Sequence, residues 1–151
     1  MIYIIIIGCI FLCEWFLKNT VEAWGREKEE KEILGGRLYL TKYHNEGAFL
    51  NFGEKKKKVV AAVSLGLSVF CLILFVLSFF KRGNSLLKTG LSLLLGGAFS
   101  NTYDRLKRKY VVDYFGFRFK RFPKLSKVVF NLSDFFIVMG AMLVTVAGVQ
   151  S

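Results

Sequence analysis

Two short segments place an amide and a carboxylate three residues apart where an apolar run meets its loop: Asn101 with Asp104, and Asn131 with Asp134. On a helix that spacing brings both side chains to one face, so each Asn can hydrogen-bond its Asp and fix the carboxylate's orientation. Asp104 is followed by Arg105, a ready ion-pair partner, whereas nothing basic stands between Lys127 and Asp134. An acid without a counter-charge at the mouth of a membrane helix is a functional candidate. Helix capping is the plainer use of the same residues, since Asn131, Ser133 and Asp134 all favour a helix N-terminus, where the dipole stabilises negative charge. A third carboxylate, Asp113, follows Val111-Val112 and precedes Tyr114-Phe115-Gly116-Phe117. If Asp113 folds back beside Asp134, the two acids share one proton. One can then take a proton from water while the other protonates a scissile carbonyl or its leaving amine. That chemistry requires neither metal nor cofactor, and the spacing alone leaves open whether the two acids meet.

The elements that must position these groups are membrane helices. Of the 151 residues 54% are hydrophobic, with 16 Phe and 1 Pro, a composition that suits long helices in a bilayer better than a soluble loop-rich fold. A crossing helix needs roughly 20 mostly apolar residues. Residues 59–80 and 128–151 meet that length directly, 83–103 meets it with Lys88 snorkelling to the nearer interface, and 1–17 is short and carries Glu14. The first run imitates a lipoprotein signal segment at Ile6-Ile7-Gly8-Cys9, but no Lys or Arg precedes it, so a helix is expected there. The expected fold is an all-α membrane protein, a single domain over residues 1–151 with four transmembrane helices. A small extramembrane β element is expected from the alternation at 37–43, and a short amphipathic helix over 26–32 ending at Gly35-Gly36. Three cysteines within apolar runs and a single histidine, His44, give no metal-ligand spacing and no Ser-His-Asp pattern. The net charge of +11 clusters beside the spans, so membrane lipids rather than nucleic acid are the expected partner.

At the acidic residues the chain resembles the lipoprotein signal peptidase (signal peptidase II) family. Residues Gly96-Gly97-Ala98-Phe99-Ser100-Asn101-Thr102-Tyr103-Asp104-Arg105 resemble the family's Gly-Gly…Gly-Asn…Asp-Arg box, with Ser100 where glycine is usual. Val111-Val112-Asp113-Tyr114 resembles its Val-Val-Asp-Phe box, and Phe130-Asn131-Leu132-Ser133-Asp134 its Phe-Asn-Leu-Ala-Asp box. Toward the amino terminus, His44-Asn45-Glu46-Gly47-Ala48-Phe49 resembles an Asn-x-Gly-Ala-Ala-Phe box that reaches Phe one residue early, so only Asn45 and Gly47 carry over. Glu14 with Lys18 resembles an Asp-x-x-x-Lys pattern with Glu in place of Asp. The resemblance implies an aspartic endopeptidase with Asp113 and Asp134 as catalytic dyad and Asn45, Gly47, Asn101, Asp104, Arg105 and Asn131 as the polar support. It also implies a prolipoprotein substrate, cut on the amino side of a diacylglyceryl-modified cysteine, and a monomer in the bacterial plasma membrane whose active site faces outward.

Charge distribution points the other way. Of the 22 Lys and Arg residues 10 lie in 18–58, 3 in 81–88 and 9 in 105–127, which by the positive-inside rule puts both long loops in the cytoplasm. Two other classes of protein share these features. A non-catalytic membrane protein that binds lipidated partners would tolerate Asn or Ala at either acid, and an ion pathway would hold its acids near the midplane rather than at the edge.

Overall fold

The computed structural model describes residues 1–25, 27, 29–47, 56–80, 83–119, 121 and 125–150. The described residues form four α-helices, four strands and one short 3-10 turn (Leu125–Lys127): α1 (Ile2–Glu22), β1 (Lys31–Ile33), β2 (Leu38–Asn45), α2 (Lys57–Ser78), α3 (Ser85–Lys107), β3 (Val111–Phe117), β4 (Val129–Phe130) and α4 (Leu132–Val149). The protein is mostly helical, with one antiparallel sheet in the order β1-β2-β3-β4.

Among the described residues three helices, α1, α2 and α4, are long and apolar enough to cross a membrane. Their outer surfaces stay bare: Ile2, Ile4, Leu67, Phe70, Val138 and Met142 are all exposed, an arrangement that water would not tolerate but lipid does. α3 is different in kind. It packs against α1, α2 and α4, so its polar side chains point into protein: Ser92, Ser100, Asn101, Thr102 and Asp104 are buried. Lys88 reaches back to donate to the Gly83 carbonyl at 2.9 Å. Close approach to α4 depends on two glycines, since a Cβ on Gly97 would lie 2.5 Å from the Ser133 carbonyl oxygen and one on Gly140 2.5 Å from the Leu94 nitrogen.

The short helix expected over 26–32 does not form among the residues described there. α1 runs on to Glu22, and Lys31–Ile33 is instead the edge strand of a hairpin with β2. Gly35 and Gly36, read from sequence as a helix stop, lie at φ +66° and +78° and turn that hairpin, as glycine does where φ is positive. Arg26 and Lys28 of that charged run lie outside the described residues. β2 extends past the expected 43 to Asn45, which pairs with Val111, and Tyr43 lies opposite Asp113. α4 starts four residues later than the apolar run, because Val129–Phe130 pairs with β3 before Asn131 caps the helix.

Candidate active site

The acids gather where the C-terminal ends of α1 and α3 meet the sheet and the N-terminus of α4. Asn131 is the N-cap of α4: its Oδ1 accepts from the Asp134 backbone N–H at 3.1 Å, and its own N–H donates to Asp134 Oδ2 at 3.1 Å. This is a full capping box, in which the side chains at N-cap and N3 satisfy each other's backbone donors. The Asn131 Nδ2 remains free to donate elsewhere, and it does so to Asp113 Oδ1 at 2.6 Å. One residue therefore holds both carboxylates, Asp134 through its backbone and Asp113 through its amide. Capping and acid positioning, alternatives on sequence grounds, are one arrangement.

Asp113 is buried on β3 and accepts a second hydrogen bond from Asn45 Nδ2 at 3.0 Å. Burial, and next the charge of Asp134, push its carboxyl up to about 7, against the pull of the Asn45 and Asn131 amides and of Lys18. At neutral pH this group is poised to give or take a proton. Asp134 is only half-buried and so is the more open of the two. Phe115, two residues after Asp113, and Phe135, next after Asp134, have tilted rings 5.4 Å apart, and Phe115 lies 6.5 Å from Phe130.

The pairings along each helix that the spacing suggested form only at α4. Asn101 donates its Nδ2 to Asp134 Oδ1 at 3.0 Å rather than to Asp104. Asp104 pairs with Lys18 at 3.0 Å and Arg108 Nε at 3.1 Å, and not with its neighbour Arg105. Arg105 turns the other way, donating to the carbonyls of Gly47 at 3.2 Å and Asn101 at 3.4 Å, with its charge acting on Asp113, Asp134 and Asp104. Gly47 in turn donates its N–H to Asn45 Oδ1 at 3.1 Å, so the Asn45 amide is held with its NH2 toward Asp113. Ala48 and Phe49 of the same segment lie outside the described residues.

Lys18 is the contact to the acid cluster that residue spacing missed. It donates to Asn101 Oδ1 at 2.8 Å and Ser100 Oγ at 3.0 Å, which leaves the Asn101 NH2 directed at Asp134. The signal available in sequence was its i, i+4 relation to Glu14 inside an apolar run. Glu14 is fully buried, lies 3.6 Å from Lys18, and accepts from the hydroxyls of Tyr114 at 2.6 Å and Ser133 at 2.7 Å. Among the described residues no group of three or more His, Cys, Asp or Glu side chains is arranged to hold a metal ion.

Comparison with known proteins gives the family of the chain. Residues 6–150 match the family model for signal peptidase (SPase) II. The lipoprotein signal peptidase of Caldicellulosiruptor bescii is 36% identical over 146 residues, covering 96% of this chain and 89% of that protein. That of Mesorhizobium japonicum is 32% identical, covering 93% and 80%. A solved bacterial membrane enzyme shares the fold with a TM-score of 0.82 at 23% identity, over 98% of this chain and 87% of that one. The chain belongs to the signal peptidase II family and is a membrane aspartic peptidase.

Proposed function

We propose that the protein removes the signal peptide from diacylglyceryl-modified bacterial prolipoproteins, cutting on the amino side of the lipidated cysteine, with Asp113 and Asp134 as its catalytic dyad. The observation that carries the assignment is the shared grip of Asn131 on both carboxylates. Asp134, the more open acid, takes a proton from the attacking water, and Asp113 gives its proton to the scissile carbonyl oxygen. Collapse of the resulting diol breaks the C–N bond as a proton passes to the leaving amine. Asn45, Asn101 and Asn131 orient the acids by direct hydrogen bonds, Gly47 orients Asn45, and Asp104 and Arg105 brace the end of α3.

The four helices act as four spans of a single unit over residues 1–151, with α3 crossing against each of the other three. Its polar residues face those neighbours rather than lipid, which supports a crossing that its composition alone would not. The substrate's acyl chains and signal helix lie against the bare apolar surfaces, with lipids as the other partner, no nucleic acid involved and the enzyme monomeric. The membrane is the bacterial plasma membrane, with the dyad on its extracytoplasmic side. Four of the basic residues that argue for the opposite orientation are paired within the fold: Lys18 to Asp104, Arg108 to Asp104 and Glu22, Lys57 to Glu46, and Arg118 to Glu30 and Glu32.

The test is a gel-shift cleavage assay with the purified protein in detergent, using a diacylglyceryl-modified prolipoprotein and its unlipidated form. Release of the signal peptide from the lipidated form alone is the expected result. Binding of that form without cleavage, under conditions where another family member turns over, would replace the peptidase reading with one of a lipoprotein-binding protein.

A further inference from the structure

Glu14 is a buried carboxylate for which the proposed reaction has no use. Both its oxygens are engaged, Oε1 by the Tyr114 hydroxyl and Oε2 by Ser133 Oγ and, at 3.6 Å, by Lys18. Its partners are not arbitrary. Tyr114 follows Asp113 on β3, and Ser133 precedes Asp134 on α4. The Tyr114 hydroxyl also accepts from the Leu132 backbone N–H at 3.1 Å, so it is tied to the first turn of α4 as well. One carboxylate on α1 thus fastens the residue beside each acid, and Lys18, one turn further along α1, holds the Asn101 amide that donates to Asp134. A second observation points the same way. The contacts are long-range, since Glu14 lies 100 residues before Tyr114 and 119 before Ser133 and still meets both hydroxyls.

We infer that Glu14, Tyr114 and Ser133 form a positioning unit that fixes β3 against the start of α4 and so sets the separation of the Asp113 and Asp134 carboxylates. The inference rests on reading those two acids as the dyad. A buried carboxylate whose hydroxyl donors are removed one at a time is left unsatisfied, whereas replacing the whole group together removes donors and need alike. The length of Glu14 matters because it must reach both hydroxyls. Shortened to Asp with Tyr114 and Ser133 retained, it cannot, and the two acids lose their common reference point.

The experiment measures kcat, KM and thermal stability of the full-length protein in detergent on a lipidated prolipoprotein, for Tyr114→Phe, Ser133→Ala, Glu14→Asp and a triple variant that joins the first two changes to Glu14→Leu. Each single change is expected to lower kcat about tenfold, the effect of a small displacement of reacting groups, with KM held within about twofold. The triple variant is expected to recover kcat to within about threefold of the wild type, because the three positions act as one unit. Losses that multiply in the triple variant, or single variants that lose stability with kcat intact, would overturn the unit. Tyr114→Phe and Ser133→Ala each remove one oxygen and supply the readout even if Glu14→Asp fails to fold. Asp113→Asn is run alongside. Its turnover would overturn the dyad and the unit with it, whereas an inactive Asp113→Asn beside fully active Tyr114→Phe and Ser133→Ala would overturn the unit alone.

Discussion

The end of α3 and the start of α4 carry the same Asn-x-x-Asp spacing and use it in opposite ways. At 131–134 the Asn and Asp close a capping box on each other, and the Asn amide reaches out to Asp113. At 101–104 the two do not pair at all: Asn101 turns to Asp134, and Asp104 is locked between Lys18 and Arg108. The helix end decides between them. A helix N-terminus offers unpaired N–H groups that a carboxylate can satisfy without a cation, whereas a C-terminus offers only carbonyls, so an acid buried there needs positive partners. Asp134 is therefore anchored yet keeps an open face, and Asp104 is neutralised and structural.

Removing charge at each acid in turn separates the two helix ends most sharply. Asp113→Asn and Asp134→Asn should each lower turnover by on the order of a thousandfold or more while leaving the protein folded in detergent, checked by cleavage rate and melting temperature together. Asp104→Asn should act first on stability, by about 3–5 kcal/mol, because it takes from Lys18 and Arg108 the buried carboxylate each lies nearest to, leaving Glu14 at 3.6 Å for the one and Glu22 at 3.4 Å for the other. A thermal melt compared with Asp134→Asn reads the difference, and equal destabilisation by the two would erase the distinction. Asn131→Ala should do both things more mildly. Loss of the cap costs about 1–2 kcal/mol, and loss of the amide donor to Asp113 should slow cleavage about a hundredfold.

The smallest effect is on pH dependence. Asp113 ordinarily titrates near 3.8 and in the fold is raised to about 7, so the folded state holds its proton more tightly than the unfolded state. Its contribution to stability is fully present below pH 3.8 and is lost as pH rises through about 7. Melting temperature should accordingly decline over that window in the wild type and decline less in Asp113→Asn. Turnover should fall on the alkaline side of the same region, where Asp113 no longer carries the proton it donates.

The sequence made the helices legible because long apolar runs leave few alternatives, and it made the acids legible because their types and order are distinctive. Contacts across elements were not. The 3.6-residue period says that Asn101 and Asp104 share a face but not that α4 will lie close enough to take the Asn101 amide. Glu14 with Lys18 was visible as an i, i+4 pair, while the hydroxyls that complete its shell come from 100 and 119 residues away. At 31–33 alternating charges suit an exposed helix and an edge strand equally well, and the left-handed turn at Gly35 and Gly36 decides for the strand. Where α3 gathers polar residues, composition reads as a weak span because the partners that bury those residues lie on three other helices.

Whether Asp113 and Asp134 act as a pair is tested most directly by single-turnover cleavage of a diacylglyceryl-modified prolipoprotein by Asp113→Asn and Asp134→Asn. Both variants should bind the substrate as the wild type does and release no signal peptide. Cleavage at the wild-type rate by either one would mean that the two acids are not the catalytic pair.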